Sequence, residues 1–252
     1  MSWRTDRISD GPFRAEHIRS GDPYELSNGH PIFCAPTGGR GGEPNGIGYS
    51  VVGSDPKVKG AGVDIGYSWA PGALRAPDVS VGEIPNEPGW VKGVPELAIE
   101  YADVGQDEEG LQLKIKELIE AGTKLMWVVR LEGLRRVEIH ERGKRMRTAL
   151  PGEELKAPGI LANPVLVEAL YDAEEGRKAV LRNLLQRDGY RDLDAVRCEG
   201  KIGALLAIAS ARALTLSKKD RARIEGCADS AQLDRWITRA ATAKKSKDIF
   251  AE

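Results

Sequence analysis

The sequence has few of the residues that most often form disulfides or bind zinc. Three cysteines occur in 252 residues, at Cys34, Cys198 and Cys227, without the close spacing of metal ligands. Their odd number and wide separation predict reduced thiols in a cytoplasmic protein. The three histidines are also unpaired in the sequence, so we expect no zinc site.

Strong net charge and long apolar runs are absent as well. A formal net charge of −1 gives no overall attraction to nucleic acid, so any such binding must come from a local patch. No apolar run approaches the roughly 20 residues that span a bilayer, and the first residues are polar. We therefore expect no signal peptide and no membrane partner.

Two common nucleotide and hydrolase motifs are missing. The stretch 36–46 is dense in glycine and proline, but no Gly-Lys-Ser/Thr follows it and the sequence predicts no strong helix starting after it. We expect a mobile loop that flanks a substrate rather than a phosphate cradle. No Gly-x-Ser-x-Gly elbow is present, although the sequence is still compatible with a Ser-His-Asp or Cys-His catalytic arrangement.

Hydrophobic periodicity divides the chain into two parts. Short apolar or alternating runs predict strands at 31–35, 62–68, 76–81, 97–101, 125–130, 136–140 and 147–150, with helices at 13–19 and 108–121. After Pro158 the pattern predicts helices at 165–170, 174–186, 193–214, 218–225 and 232–243. We predict an α/β core with a mixed sheet over 1–157 and an α-helical extension over 158–252.

The extension differs from the core in charge. From residue 173 onward there are 17 Lys and Arg against 12 Asp and Glu, whereas the rest of the chain has 20 against 26. Basic side chains such as Arg177, Lys178, Arg182 and Arg187 belong to this part. A solvated helix face is the simpler interpretation, and a binding surface for a partner or nucleic acid is the alternative.

Two acidic residues and a lysine carry the functional prediction. Asp78 and Glu100 lie in or beside predicted strands, and Lys114 lies on the helix that follows. Neighbouring strands can hold two carboxylates around a hard cation such as Mg²⁺, and the carbonyl of Tyr101 could add a third oxygen. A nearby ammonium would orient water or stabilise negative charge on a phosphate. This pattern favours a nuclease.

Spacing alone leaves two questions open. On a helical wheel, Lys114 and Lys116 lie at similar angles on opposite sides of the apolar stripe, so both could reach the sheet edge. An aspartate after a proline is often a turn residue, and Glu100 could simply form a salt bridge. The residues by themselves do not decide between these structural roles and a catalytic site.

Four segments together resemble a known family. They are Asp22-Pro-Tyr-Glu-Leu-Ser-Asn-Gly29, Arg75-Ala-Pro-Asp78, Pro95-Glu-Leu-Ala-Ile-Glu100, and the run from Lys114 to Val129 that includes Ala-Gly and Trp-Val-Val. In this order they resemble the Uma-two family, bacterial proteins classed as candidate restriction endonucleases within the PD-(D/E)XK superfamily. The resemblance covers roughly residues 16–154 and implies a restriction-endonuclease-like core.

The resemblance also implies roles for individual residues. Asp78 and Glu100 would bind Mg²⁺ or Mn²⁺, Lys114 would be the active-site lysine, and Glu25 would assist from the amino-terminal region. Ala102 stands where the superfamily usually has its lysine, two residues after the glutamate. The helix that often precedes the Pro-Asp strand looks replaced here by glycine-rich, strand-like sequence.

Two functions of different classes follow. The first is a metal-dependent endonuclease that hydrolyses phosphodiester bonds, with DNA as the expected partner and a homodimer as a further expectation. The second is a catalytically silent module that keeps the nuclease fold and binds a partner through its helical tail.

Overall fold

The computed structural model describes residues 11–105 and 107–251, so the polar first residues behind the signal-peptide expectation lie outside it. The strands are β1 Tyr24–Ser27, β2 His30–Phe33, β3 Ala61–Val63, β4 Tyr67–Ser68, β5 Val79–Val81, β6 Val91–Lys92, β7 Leu97–Ala102, β8 Leu125–Arg130, β9 Arg136–Glu141, β10 Arg147–Ala149, β11 Glu154–Leu155 and β12 Val165–Leu166. The α-helices are α1 Gly39–Ser54, α2 Glu108–Ala121, α3 Ala173–Arg187, α4 Leu193–Ala211, α5 Lys218–Glu225 and α6 Ser230–Ala240. Short 3₁₀ helices occupy Ala15–His17, Val167–Leu170 and Ser246–Phe250.

A six-stranded sheet forms the centre of the fold. Its strand order is β10-β9-β8-β7-β5-β3. β7 and β8 are parallel, whereas the other neighbours are antiparallel. A parallel pair needs a long crossover, and α2 provides it. The predicted α/β class with a central mixed sheet is confirmed.

Helices cover both faces of this sheet. On one face, Ile99 and Trp127 belong to the same buried cluster as Val52 of α1. On the other face, Met126 packs with Ile115 of α2. Successive side chains of a strand point to opposite faces, and both faces of β7 and β8 are buried and, apart from Glu100 of β7, mostly apolar.

Helix α2 has the predicted bounds because its sequence marks both ends. The Asp107 carboxylate accepts the Gly110 N–H at 3.0 Å, and two glutamates follow in the first turn. Gly122 ends the helix with a φ of +126°, a conformation that suits glycine. The helix is therefore fixed locally as well as by packing.

Helix α1 contradicts the sequence prediction. We expected a loop at 36–46 and a replacement of the usual helix by strand-like sequence, and both expectations are wrong. Each glycine in a helix costs up to about 1 kcal/mol relative to alanine, so the helix propensity of this segment is low and does not predict a helix. Burial of Val51 and Val52 against the sheet offsets this low helix propensity. Gly48 also lets the helix approach β7, since a Cβ there would lie 1.8 Å from the Tyr101 hydroxyl oxygen.

Smaller differences concern short elements. β1 was not predicted as a strand, and the predicted helix at 165–170 is β12 followed by a 3₁₀ turn. The predicted helix at 13–19 is a single 3₁₀ turn. The predicted strand at 62–68 is two short strands, β3 and β4, which belong to different sheets, and the sequence does not predict β6 and β11. The remaining predicted strands and the four tail helices are present, most of them with shifted ends.

The chain divides into two compact units between Asn183 and Leu184. The sequence predicts a division after residue 157 instead. Ile160, Leu161 and Val165 explain the difference, because they belong to the apolar core of the first unit. Residues 158–183 therefore complete the α/β unit.

The second unit has a small helical core of its own. Leu205 of α4 and Leu233 and Trp236 of α6 are buried together in it. Asp229 caps α6 by accepting the N–H groups of Ala231 and Gln232, at 2.9 and 3.0 Å. No helix within the described residues is long and apolar enough to cross a membrane.

Candidate active site

Asp78 and Glu100 face each other across two neighbouring strands. β5 and β7 pair with Val79 opposite Ile99, and one further step in this antiparallel register brings Asp78 opposite Glu100. Opposed residues share a face, with Cβ atoms about 4.5–5.5 Å apart. The Tyr101 N–H donates to the Asp78 carboxylate at 2.6 Å, which holds the aspartate against β7.

Lys114 reaches these carboxylates from α2. Its Nζ lies 2.8 Å from Glu100 Oε1 and 2.9 Å from Glu25 Oε1, and it donates to the Ala76 carbonyl at 2.8 Å. Its side chain is 12% exposed, whereas Lys116 is on the exposed surface of the same helix. The tertiary structure thus places Lys114 at the site and Lys116 in solvent, although the helical wheel did not distinguish them.

Glu25 belongs to the same cluster. β1 contacts the segment before Asp78 through two backbone hydrogen bonds between Leu26 and Leu74, at 2.8 and 3.1 Å. This pairing places the Glu25 carboxylate where the Ala76 N–H donates to it at 3.1 Å. The structure therefore brings together the four side chains predicted for the site.

Arg75 and Glu117 were not given a role by sequence reasoning. The Arg75 guanidinium is 2% exposed and donates to Glu25 at 2.9 Å and to Glu117 at 2.6 Å. The Ser27 hydroxyl donates to the other oxygen of Glu117. Arg75 directly precedes the Ala-Pro-Asp segment, which is the only sequence signal that could have marked it.

Asp64 is a further acidic residue that sequence reasoning missed. It lines the same cavity as Asp78, Glu100 and Lys114, which has a volume of about 590 Å³. Its backbone has a φ of +50°, a conformation uncommon outside glycine, asparagine and aspartate. No pattern in its flanking residues distinguishes it from an ordinary turn residue.

The carboxylates differ in their protonation. Burial raises the pKa of Glu100 to about 8, against the opposing effect of Lys114, and the charges of Asp78 and Glu25 raise it further. Burial also raises the pKa of Asp78, with a smaller contribution from Asp64. Glu25 is the exception, because Lys114 and Arg75 together outweigh burial and hold its pKa below the usual value.

Lys114 stays cationic in this environment. Burial alone would lower its pKa, but Glu100, Glu25 and Asp78 outweigh burial and raise it above the usual value. An ammonium held this way can donate hydrogen bonds and stabilise negative charge, and it cannot act as a general base near neutral pH.

The donor set suits a hard divalent cation. Asp78 and Glu100 offer carboxylate oxygens at the cavity, and their pKa values are raised first by burial and then by neighbouring negative charges, both of which a bound cation would offset. Across the described residues, no three His, Cys, Asp or Glu side chains lie close enough to hold a metal by themselves. Water and substrate oxygens would complete the ligands, as is usual for Mg²⁺.

Other sequence candidates fall outside this arrangement. Ala102, at the usual lysine position, is 3% exposed and packs in the apolar cluster beneath α2. The Tyr101 carbonyl stays a predicted ligand, whereas its N–H has a defined contact with Asp78. Lys178 of the basic tail is paired with Glu174 and Glu175, which leaves it less free to bind a polyanion.

Comparison with known proteins supports the fold. No family model matches the chain, and no curated protein matches it. Its structure is similar to the crystal structure of a candidate nuclease belonging to DUF820 from Anabaena variabilis, with a TM-score of 0.54 and 17% sequence identity. The match covers 61% of this chain and 92% of that chain. At this identity the similarity shows a shared fold.

Proposed function

We propose that the chain is a metal-dependent endonuclease that hydrolyses phosphodiester bonds in DNA. The observation that carries the proposal is that Asp78, the residue before β5, and Glu100 of β7 line one cavity, with the Lys114 ammonium 2.8 Å from Glu100 Oε1. The fold shared with a candidate nuclease supports it. The choice of DNA, and membership of the Uma-two family, rest on the order of the sequence motifs.

Asp78 and Glu100 would hold Mg²⁺ or Mn²⁺ in this proposal. A bound cation neutralises phosphate charge and makes water a better nucleophile. Asp78 is held for this role by the Tyr101 N–H. Glu100 must first lose its proton, since burial raises its pKa to about 8. The carboxylates would therefore bind metal more readily as the pH rises.

Lys114 would act by hydrogen bonding and charge. Burial lowers its pKa, but the surrounding carboxylates raise the pKa by more, so the side chain stays an ammonium. It would orient the attacking water and stabilise negative charge on the phosphate. Glu25 would hold the ammonium beside Glu100, since both carboxylates contact it at 2.8–2.9 Å.

Cleavage assays test the proposal. Plasmid, linear duplex, single-stranded DNA and RNA are incubated with Mg²⁺ or Mn²⁺ and either wild type, Asp78→Asn, Lys114→Ala or Lys116→Ala. We expect cation-dependent cleavage of DNA, a loss of about 100-fold or more in the first two variants, and none in the exposed control. Equal cleavage by all four proteins would contradict the site.

A silent wild-type protein would favour the alternative function. In that case calorimetry would detect no metal binding, and salt-sensitive DNA binding would remain.

An enzyme that cuts both strands often works as a pair, so we also propose a homodimer, tested by light scattering of the full chain. The cytoplasmic location and bacterial origin stay predictions from the sequence.

A further inference from the structure

A chain of buried charges runs behind the proposed site. Arg75 contacts Glu25 through one nitrogen at 2.9 Å and Glu117 through two others, each at 2.6 Å. Glu25 in turn contacts Lys114, whose ammonium reaches Glu100. Within these contacts Arg75 is bound to carboxylates outside the metal pair, so any effect on Glu100 passes through Glu25 and Lys114.

The contacts of Lys114 make its position depend on Glu25. An ammonium has three protons, and three acceptors surround this one: Glu25, Glu100 and the Ala76 carbonyl. The Glu25 oxygen that it contacts also accepts the Ala76 N–H, and the second oxygen is taken by Arg75. Without Arg75, the Glu25 carboxylate would be held through one oxygen only and could pivot about it, so the ammonium would have a less well-fixed partner.

Glu117 ties the same arginine to the helix that carries Lys114. Glu117 and Lys114 are three positions apart on α2 and therefore lie on one face of the helix. Arg75 also lies three residues before Asp78 in the chain. One guanidinium thus joins β1, the segment leading to Asp78, and α2.

Stability alone is a poor reason for this arrangement. Burying charges is costly, and well-packed apolar side chains can often replace a buried ion network without loss of stability. A planar guanidinium instead donates in fixed directions to the two carboxylates that it contacts, whereas the ammonium of a lysine rotates on a flexible stem. The contacts of Arg75 therefore serve to orient the Glu25 and Glu117 carboxylates.

We propose that Arg75, fixed by Glu117, is a positioning residue that orients Glu25 and through it places the Lys114 ammonium beside Glu100. This rests on the proposed nuclease function, in which Lys114 contacts the water or the phosphate. Misplacing a catalytic group by about 1 Å can lower a rate by about 100-fold.

The test uses Arg75→Lys, Glu117→Gln and the control Glu120→Gln, whose side chain is exposed on the same helix. Arg75→Lys keeps the charge and loses the planar fork. Glu117→Gln keeps an acceptor and loses its charge. Lysines are labelled by reductive methylation well below the melting temperature, and peptide mass spectrometry gives the labelling of Lys114 relative to exposed Lys116.

In wild type and the control we expect Lys116 to be labelled and Lys114 to be protected. In Arg75→Lys the Lys114 to Lys116 ratio should rise at least tenfold, with a smaller rise in Glu117→Gln. The kcat for DNA cleavage should fall by about 100-fold in Arg75→Lys, with KM changed by less than threefold. If Arg75→Lys does not fold, Glu117→Gln carries both measurements.

Protected Lys114 in the folded variants would overturn the proposal, and so would labelled Lys114 with unchanged kcat. A lower melting temperature with unchanged labelling would assign Arg75 a structural role only. If wild type cleaves no nucleic acid, the proposed function fails. The labelling ratio then still decides whether Arg75 positions Lys114.

Discussion

Replacing Lys114 with methionine should destabilise the protein in a pH-dependent way. The substitution keeps the length of the side chain and removes the ammonium that contacts Glu25 and Glu100 at 2.8–2.9 Å. At pH 6, Glu100 is neutral in both proteins because burial raises its pKa to about 8. Glu25 keeps its contact with Arg75. The cost at pH 6 is then the loss of charged hydrogen bonds, about 2 kcal/mol.

The cost should grow above pH 8. Wild-type Glu100 is ionised there beside the ammonium, whereas the variant has lost this partner and its Glu100 pKa rises further. Folded variant then holds a proton that its unfolded chain has lost, so its stability falls by about 1.4 kcal/mol per pH unit relative to wild type. At pH 9 the difference reaches about 3–4 kcal/mol, in the range measured for breaking a buried ion pair.

Urea unfolding at pH 6 and pH 9 in metal-free buffer measures this difference. A Trp236→Phe background removes the tryptophan of the second unit from the fluorescence signal. Lys116→Met is the matched control, since Lys116 is exposed on the same helix, and it should change stability by less than about 0.5 kcal/mol. An equal loss for Lys114→Met at both pH values would refute the reasoning.

Three further outcomes are expected. The affinity for Mn²⁺, measured by calorimetry, should rise about tenfold per pH unit up to pH 8, because Glu100 with its pKa of about 8 must lose a proton; a constant affinity would contradict this. In metal-free buffer at pH 9, Glu100→Gln should melt at a higher temperature than wild type, since it removes a buried anion, and a lower melting temperature would count against a raised pKa. Gly48→Ala should cost about 1–3 kcal/mol, because its Cβ would lie 1.8 Å from the Tyr101 hydroxyl oxygen. The control Gly46→Ala on the same helix meets nothing within 4 Å and should stabilise by about 0.5–1 kcal/mol, so equal effects of the two changes would contradict the packing of α1.

The sequence predicts those elements whose signals are local. α2 has a capping aspartate, an apolar stripe and a terminal glycine, so its bounds were predicted correctly. The central strands β7 and β8 are apolar on both faces and stand between clear breaks. Helix α1 has none of these signals, because its glycines lower the propensity and its stability comes from contacts with a sheet distant in sequence.

The site was predicted only in part for a related reason. Strand carboxylates and a helix lysine predict Asp78, Glu100 and Lys114, and the family resemblance adds Glu25; all four side chains line one cavity. The contacts of Arg75 join residues 42 and 50 positions away, which no local pattern reveals. Helical spacing alone leaves Lys114 and Lys116 equivalent; the family resemblance selects Lys114, and the contacts of Lys114 with Glu25 and Glu100 agree with that choice.

The position of a bound divalent cation tests the proposed active site most directly. Crystals soaked in Mn²⁺ and measured for anomalous scattering would locate the ion. We expect a peak within coordination distance of the Asp78 and Glu100 carboxylates, and its loss in Asp78→Asn. A peak elsewhere, or no peak at millimolar Mn²⁺ and pH 8, would contradict the proposed active site.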